Sequence, residues 1–138
     1  MYFIIYQIKK MERKIISTAA FIGMLTIILG AFGAHALKKY LSHEELSTFE
    51  TGIKYQMYHA IFLLFIGLSQ KISDKTKNQI FNLTVIGILL FSGSIYLLAT
   101  RNLTKIDFSI IGIVTPIGGF LLITAWFLLF YKYLMNKS

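Results

Sequence analysis

Four apolar stretches, at residues 15–37, 52–69, 80–99 and 110–131, occupy most of this 138-residue chain. Each approaches the roughly 20 residues that an α-helix needs, at about 1.5 Å per residue, to cross the hydrocarbon of a bilayer. That length sets the solvent, and the solvent sets the meaning of every polar residue. In hydrocarbon a buried Gln or His is costly and marks structure or function. The expected fold is all-α: a four-helix transmembrane bundle forming one integral membrane domain over residues 1–138.

The charges follow the same logic. Only 14% of residues are charged, and the 14 Lys and Arg that give a net charge of +8 lie at the ends of the apolar segments. No basic stripe carries interleaved aromatics, so the charge reads as membrane anchoring and not nucleic-acid binding. Nine cations fall on the side shared by the N-terminal segment, the middle loop and the C-terminus, and five on the other. The positive-inside rule then puts both termini in the cytoplasm. With no cysteine, disulfides, thiolate metal sites and cysteine nucleophiles are excluded. The first segment is too long for a removed signal peptide. Met11 opens the basic stretch and is an alternative start to Met1.

Small residues at Ala19, Gly23, Thr26, Gly30 and Gly33 recur at spacings of three and four, a face that lets two helices approach closely. Between spans one and two, Ser42 and Glu45 have the spacing of a capping box. Leu46, Phe49 and Ile53 follow at helical intervals, with Glu50 and Lys54 as an i,i+4 pair. This predicts an amphipathic helix at the outer surface that continues into span two. Pro116 within span four predicts a kink or local unwinding.

With the topology applied, the intramembrane polar residues converge. His35 ends span one. Tyr55, Gln56 and His59 lie in the outer half of span two, Ser94 and Tyr96 in that of span three, and Thr115 and Pro116 in that of span four. The inner halves are nearly pure Leu, Ile and Phe. The prediction is an outer-leaflet polar pocket centred near His59 and built from these eight residues. Such residues also serve simply to fix helix register, at about 0.6 kcal/mol per interhelical hydrogen bond.

Several chemistries use such a cluster. His35 and His59 could ligate a haem iron or another metal, although no local spacing supports it, so no metal site is assigned and the cofactor is unknown. Ser94 with His59 could serve a hydrolase, without a motif to back it. Tyr, Gln and His at interfacial depth suit a lipid or quinone headgroup. The leading expectation is therefore a non-enzymatic membrane protein whose pocket takes a small amphiphile or a partner helix, with other membrane proteins or further copies of itself as partners beside the bilayer. The alternative is a small transporter or channel, which needs a polar route through the inner half.

Five motifs carry a resemblance. They are Gly30-Ala31-Phe32-Gly33-Ala34-His35, Phe49-Glu50-Thr51-Gly52, Tyr55-Gln56-Met57-Tyr58-His59, Phe91-Ser92-Gly93-Ser94-x-Tyr96 and Thr115-Pro116-Ile117-Gly118-Gly119. In this order they resemble a small inner-membrane family of unknown function, YgdD- and YwdK-like in bacteria and with a eukaryotic mitochondrial relative. The likeness covers roughly residues 11–130. It implies four membrane helices in a bacterial cell membrane and supplies no activity or catalytic residue. The family pattern has Gly after the His of the first motif, where this chain has Ala36.

Overall fold

The computed structural model of the protein describes residues 2–107 and 109–135, with side chains for 10–107 and 110–135. Four long helices dominate: α1 (Tyr2–His35), α2 (His43–Leu68), α3 (Asp74–Ala99) and, after the single turn α4 (Arg101–Thr104), α5 (Val114–Met135). Three segments, Lys10–Lys39, Asp74–Ala99 and Ile110–Met135, are long and apolar enough to cross a membrane. The 26-residue α2 matches them in length. Its apolar run is interrupted by Lys54, Tyr55, Gln56, Tyr58 and His59.

Local chemistry sets the helix ends. Ser42 caps α2 in a reciprocal box: Glu45 N–H donates to Ser42 Oγ at 3.2 Å, and Ser42 N–H to Glu45 Oε2 at 2.8 Å. This satisfies two of the orphan donors that every helix start exposes. Ser73 caps α3 through Thr76 N–H. Pro116 sits in the first turn of α5, directly after a 3-10 segment at Ser109–Ile113. The unwinding expected of Pro116 thus precedes the α-helix. In a first turn the missing N–H has no partner to lose.

Packing runs in sequence. α2 lies along α1 and α3, α5 lies along α3, and α1 and α5 do not pack directly on each other. The main core, at the basic end where α1 begins and α2 turns into α3, includes Ile15, Phe62, Leu63, Ile66, Ile80, Phe81 and Ala125. At the far end Phe49 packs with Leu37, Leu41 and Ala99, against which Leu46 and Ile53 also rest. Glu50 and Lys54 are exposed and form no ion pair with each other; water leaves such a pair little to gain.

Close approach is concentrated at a few glycines. A Cβ on Gly118 would strike the backbone of Phe91 and lie 2.8 Å from Leu90 C, so α3 and α5 touch main chain to main chain there. Of the small-residue stripe on α1, Ala19 and Thr26 are buried and Gly33 abuts the Phe49 ring, whereas Gly23 faces open space.

Lys77 breaks the expectation that every cation sits in water. It is 1% exposed, and its Nζ donates to Glu12 Oε1 at 3.2 Å and to Gly67 O at 3.3 Å. One ammonium thereby ties the starts of α1 and α3 to an orphan carbonyl at the end of α2. Nearer mid-span, Thr84 Oγ1 is buried with no hydrogen-bond partner among the described residues.

Candidate functional site

Gly52, Gln56 and His59 are buried on one face of α2, at the spacings of four and three that align residues along a helix. Opposite Gly52, Ser92 Oγ of α3 donates to the Gly52 carbonyl at 2.9 Å. The Tyr96 ring lies 2.6 Å from where a Gly52 Cβ would stand, so only glycine leaves room for it. One turn on, Tyr96 Oη donates to Gln56 Oε1 at 2.8 Å, while Gln56 Nε2 reaches Ile22 O of α1 at 3.5 Å. The glutamine thus links α1, α2 and α3.

A second tie joins α3 to α5. Ser94 Oγ donates to Phe91 O at 2.9 Å and lies 2.6 Å from Thr115 Oγ1. A serine hydroxyl has one proton, so with that proton on Phe91 O the Thr115 hydroxyl is the donor.

The third tie joins α2 to α5 and fixes a tautomer. His59 Nδ1 lies 2.7 Å from Tyr55 O, and Trp126 Nε1 lies 3.2 Å from His59 Nε2. A carbonyl only accepts and an indole N–H only donates. His59 is therefore the neutral imidazole with its proton on Nδ1 and its Nε2 lone pair facing Trp126. The Trp126 ring also stacks on Phe62, centroids 4.2 Å apart.

Beside this third tie runs a groove of about 440 Å³ between α2, α3 and α5, lined by Tyr55, His59, Phe91, Gly119, Leu122, Ile123 and Trp126. It has the size of a small-molecule site, roughly 300–1,000 Å³, and the usual makeup of mostly apolar walls with few polar atoms. The Tyr55 ring stands at the edge, 5.0 Å from the Phe91 centroid.

The expected pocket residues divide accordingly. Gln56 and Tyr96 pair, Ser94 and Thr115 pair, and His59 pairs with Trp126; these are three separate ties and not one continuous network. Tyr55 contributes its carbonyl and its ring. Pro116 and His35 are exposed, and His35 joins none of these ties. His59 and Ser94 are not hydrogen-bonded to each other, and both imidazole nitrogens are occupied. Among the described residues no three His, Asp or Glu side chains converge as a metal site would need.

Trp126 and Ser92 were not among the residues expected in the pocket. Trp126 had a signal, as the chain's single Trp at helical spacing from Gly119 and Leu122. Ser92 had none beyond its motif.

The far end holds a smaller polar cavity of about 350 Å³ that includes Glu45, Arg101 and Asn102. There the Ser42 backbone N–H, the Asn102 amide and the nearby Arg101 hold the Glu45 carboxyl below its ordinary range.

Long apolar helices, tied to one another by side chains that satisfy their polar groups internally, define a helical membrane protein. The chain belongs to the DUF423 family of proteins of unknown function, whose profile matches residues 29–119. That match includes Gln56, Tyr96, Ser94, Thr115 and His59 and excludes Glu12, Ile22 and Trp126. A UPF0382 membrane protein of Haemophilus influenzae is 38% identical over 93% of this chain and 99% of its own length. Membrane protein YwdK of Bacillus subtilis is 37% identical over 77% of this chain and 84% of its own. Inner membrane protein YgdD of Escherichia coli is 35% identical over 80% and 82%. No solved structure matches the chain.

Proposed function

We propose that this is a multi-pass protein of the bacterial cell (inner) membrane, with four spans and both termini cytoplasmic. Its groove beside His59 holds the tail of a small amphiphile in the outer leaflet. The observation that carries this reading is the apolar groove of about 440 Å³ walled by His59 and Trp126.

A fourth span is supported by the way α2 resolves its own polarity. Gln56 and His59, two of the residues that lower its hydropathy, are buried and hydrogen-bonded to neighbouring helices, which removes their cost in hydrocarbon. The first turns of α2 then serve as the amphipathic outer helix, with Phe49 packed on its own protein and Glu50 and Lys54 outward. Lys77 is paired internally, so the charge margin favouring cytoplasmic termini is eight to five.

The ligand class follows from the walls. Both His59 nitrogens are engaged, so the groove offers shape and aromatic contact more than charge, which suits a hydrocarbon tail. A headgroup would sit at Tyr55, toward the far end. Transport would need a polar route on to the basic end. Along it stand the unpartnered Thr84 hydroxyl and then the closed Lys77–Glu12 pair.

Native mass spectrometry of gently solubilised protein tests the reading, with wild type beside His59→Ala. A reproducible bound mass that is lost in the variant supports groove binding and gives the ligand class. A clean apo mass in both, with unchanged thermal stability in the variant, contradicts it.

A further inference from the structure

We infer that the basic end carries a binding surface for anionic phospholipid headgroups, separate from the groove. The charges of the two ends differ in kind. Among the described side chains, the basic end has seven cations (Lys10, Arg13, Lys14, Lys71, Lys75, Lys77 and Lys132) and two carboxylates, Glu12 and Asp74. The far half has five cations and four carboxylates. Among these side chains the basic end is thus net +5 and the far half net +1, so the positive charge is gathered mainly at one end.

The Lys77–Glu12 pair sharpens this. Glu12 is the one carboxylate on the first turns of α1, and it is turned inward onto buried Lys77. Lys10, Arg13 and Lys14 are left exposed and without an ion pair among the described residues. Their spacings of three and four keep Lys10 beside both of the others on the helix surface. Lys14 Nζ sits 4.9 Å from the Phe81 ring centroid, so α1 and α3 meet here and bring exposed Lys71 and Lys75 into the same region. Immediately beyond, Ile15 enters the apolar core. The exposed cations thus stand where α1 leaves the hydrocarbon, at the depth of lipid phosphates. Juxtamembrane Lys and Arg clusters of this kind attract anionic lipid.

The surface rests on the membrane placement above but not on the groove, and the test separates the two. Full-length protein in nanodiscs of equal phosphatidylglycerol and phosphatidylcholine is released for native mass spectrometry, and retained lipids are counted. Wild type should keep phosphatidylglycerol preferentially. The triple change K10Q/R13Q/K14Q should weaken that preference by up to roughly a hundredfold, at a factor of about five per cation. K71Q/K75Q, in the α2–α3 turn and the first turn of α3, provides a second variant should the first not fold. K38Q/K39Q at the far end should leave the preference intact, and so should His59→Ala, whatever it does to the groove. Equal retention of the two lipids, a preference untouched by the basic-end changes, or one lost equally on changing Lys38 and Lys39 would overturn the inference. Binding of a short RNA duplex without lipid preference would overturn it in favour of nucleic acid.

Discussion

Trp126 of α5 donates its indole N–H to His59 Nε2 of α2 at 3.2 Å, and this bond dictates that His59 is neutral with its proton on Nδ1. It also bridges two helices whose backbones do not pack on each other. Trp126→Phe keeps an aromatic ring against Phe62 and removes the donor together with part of the stacking area, which the cycle subtracts. In a double-mutant cycle with His59→Ala, unfolding in mild detergent should give a coupling energy of about 0.6 kcal/mol, the average for interhelical hydrogen bonds in membranes. Strict additivity would show that the bond contributes nothing. Nitrogen NMR of labelled His59 should show a protonated Nδ1 and a bare Nε2.

Gly118 is expected to be the least replaceable glycine on α5, because what its Cβ would meet is the backbone of Leu90 and Phe91. Backbone cannot rotate away, so Gly118→Ala should cost at least the roughly 1–3 kcal/mol typical of overpacking. Gly23→Ala, on the same class of small residue but facing open space, should cost nothing and gain from helix propensity. Thermal unfolding of the two variants side by side checks the contrast. Equal effects would contradict it.

At the basic end, Glu12→Ala should destabilise more than Lys77→Met. The first leaves an ammonium that is 1% exposed with only the Gly67 carbonyl. Breaking a buried pair in this way costs up to about 3–5 kcal/mol, whereas an apolar replacement of similar volume is often tolerated. Comparison of melting temperatures decides it, and the reverse order would mean that Lys77 is better solvated than its burial indicates.

Glu45 gives the structure a pH dependence of known sign. Its folded carboxyl titrates below the usual value of 4.5. Its ionised form therefore adds stability that is present above that value and is lost as pH falls through the lower, folded one. The difference in melting temperature between wild type and Glu45→Gln should thus be constant near neutrality and shrink below about pH 4.5. Because the group is solvent-exposed, the effect is small. A difference that persists unchanged into strong acid would rule out the lowered titration.

Hydropathy and spacing made much of this fold legible. The spans at 15–37, 80–99 and 110–131 lie within the apolar helical segments Lys10–Lys39, Asp74–Ala99 and Ile110–Met135. Ser42 and Glu45 form the box that their spacing announced. The polar exceptions on α2 were legible as a group because each is costly in hydrocarbon. Their partners were not, since a hydrogen bond such as Tyr96 to Gln56 spans 40 residues and depends on helix rotation. Lys77 looked like a loop cation because nothing local reveals Glu12, 65 residues away. His35 shares its motif with Gly33, yet lies exposed where α1 ends. Motif membership does not fix which way a terminal side chain turns.

Trp126 is the only Trp in the chain and a wall of the groove, so its fluorescence reports on occupancy without any label. The most direct measurement is titration of the protein in nanodiscs with a single-tailed amphiphile brominated along its chain. Binding in the groove predicts quenching that saturates at one equivalent and is relieved by an unbrominated competitor, with both effects lost in His59→Ala. Quenching that rises in proportion to the bulk concentration of brominated chains, unchanged by His59→Ala, would mean that Trp126 merely faces lipid and that the groove holds nothing of its own.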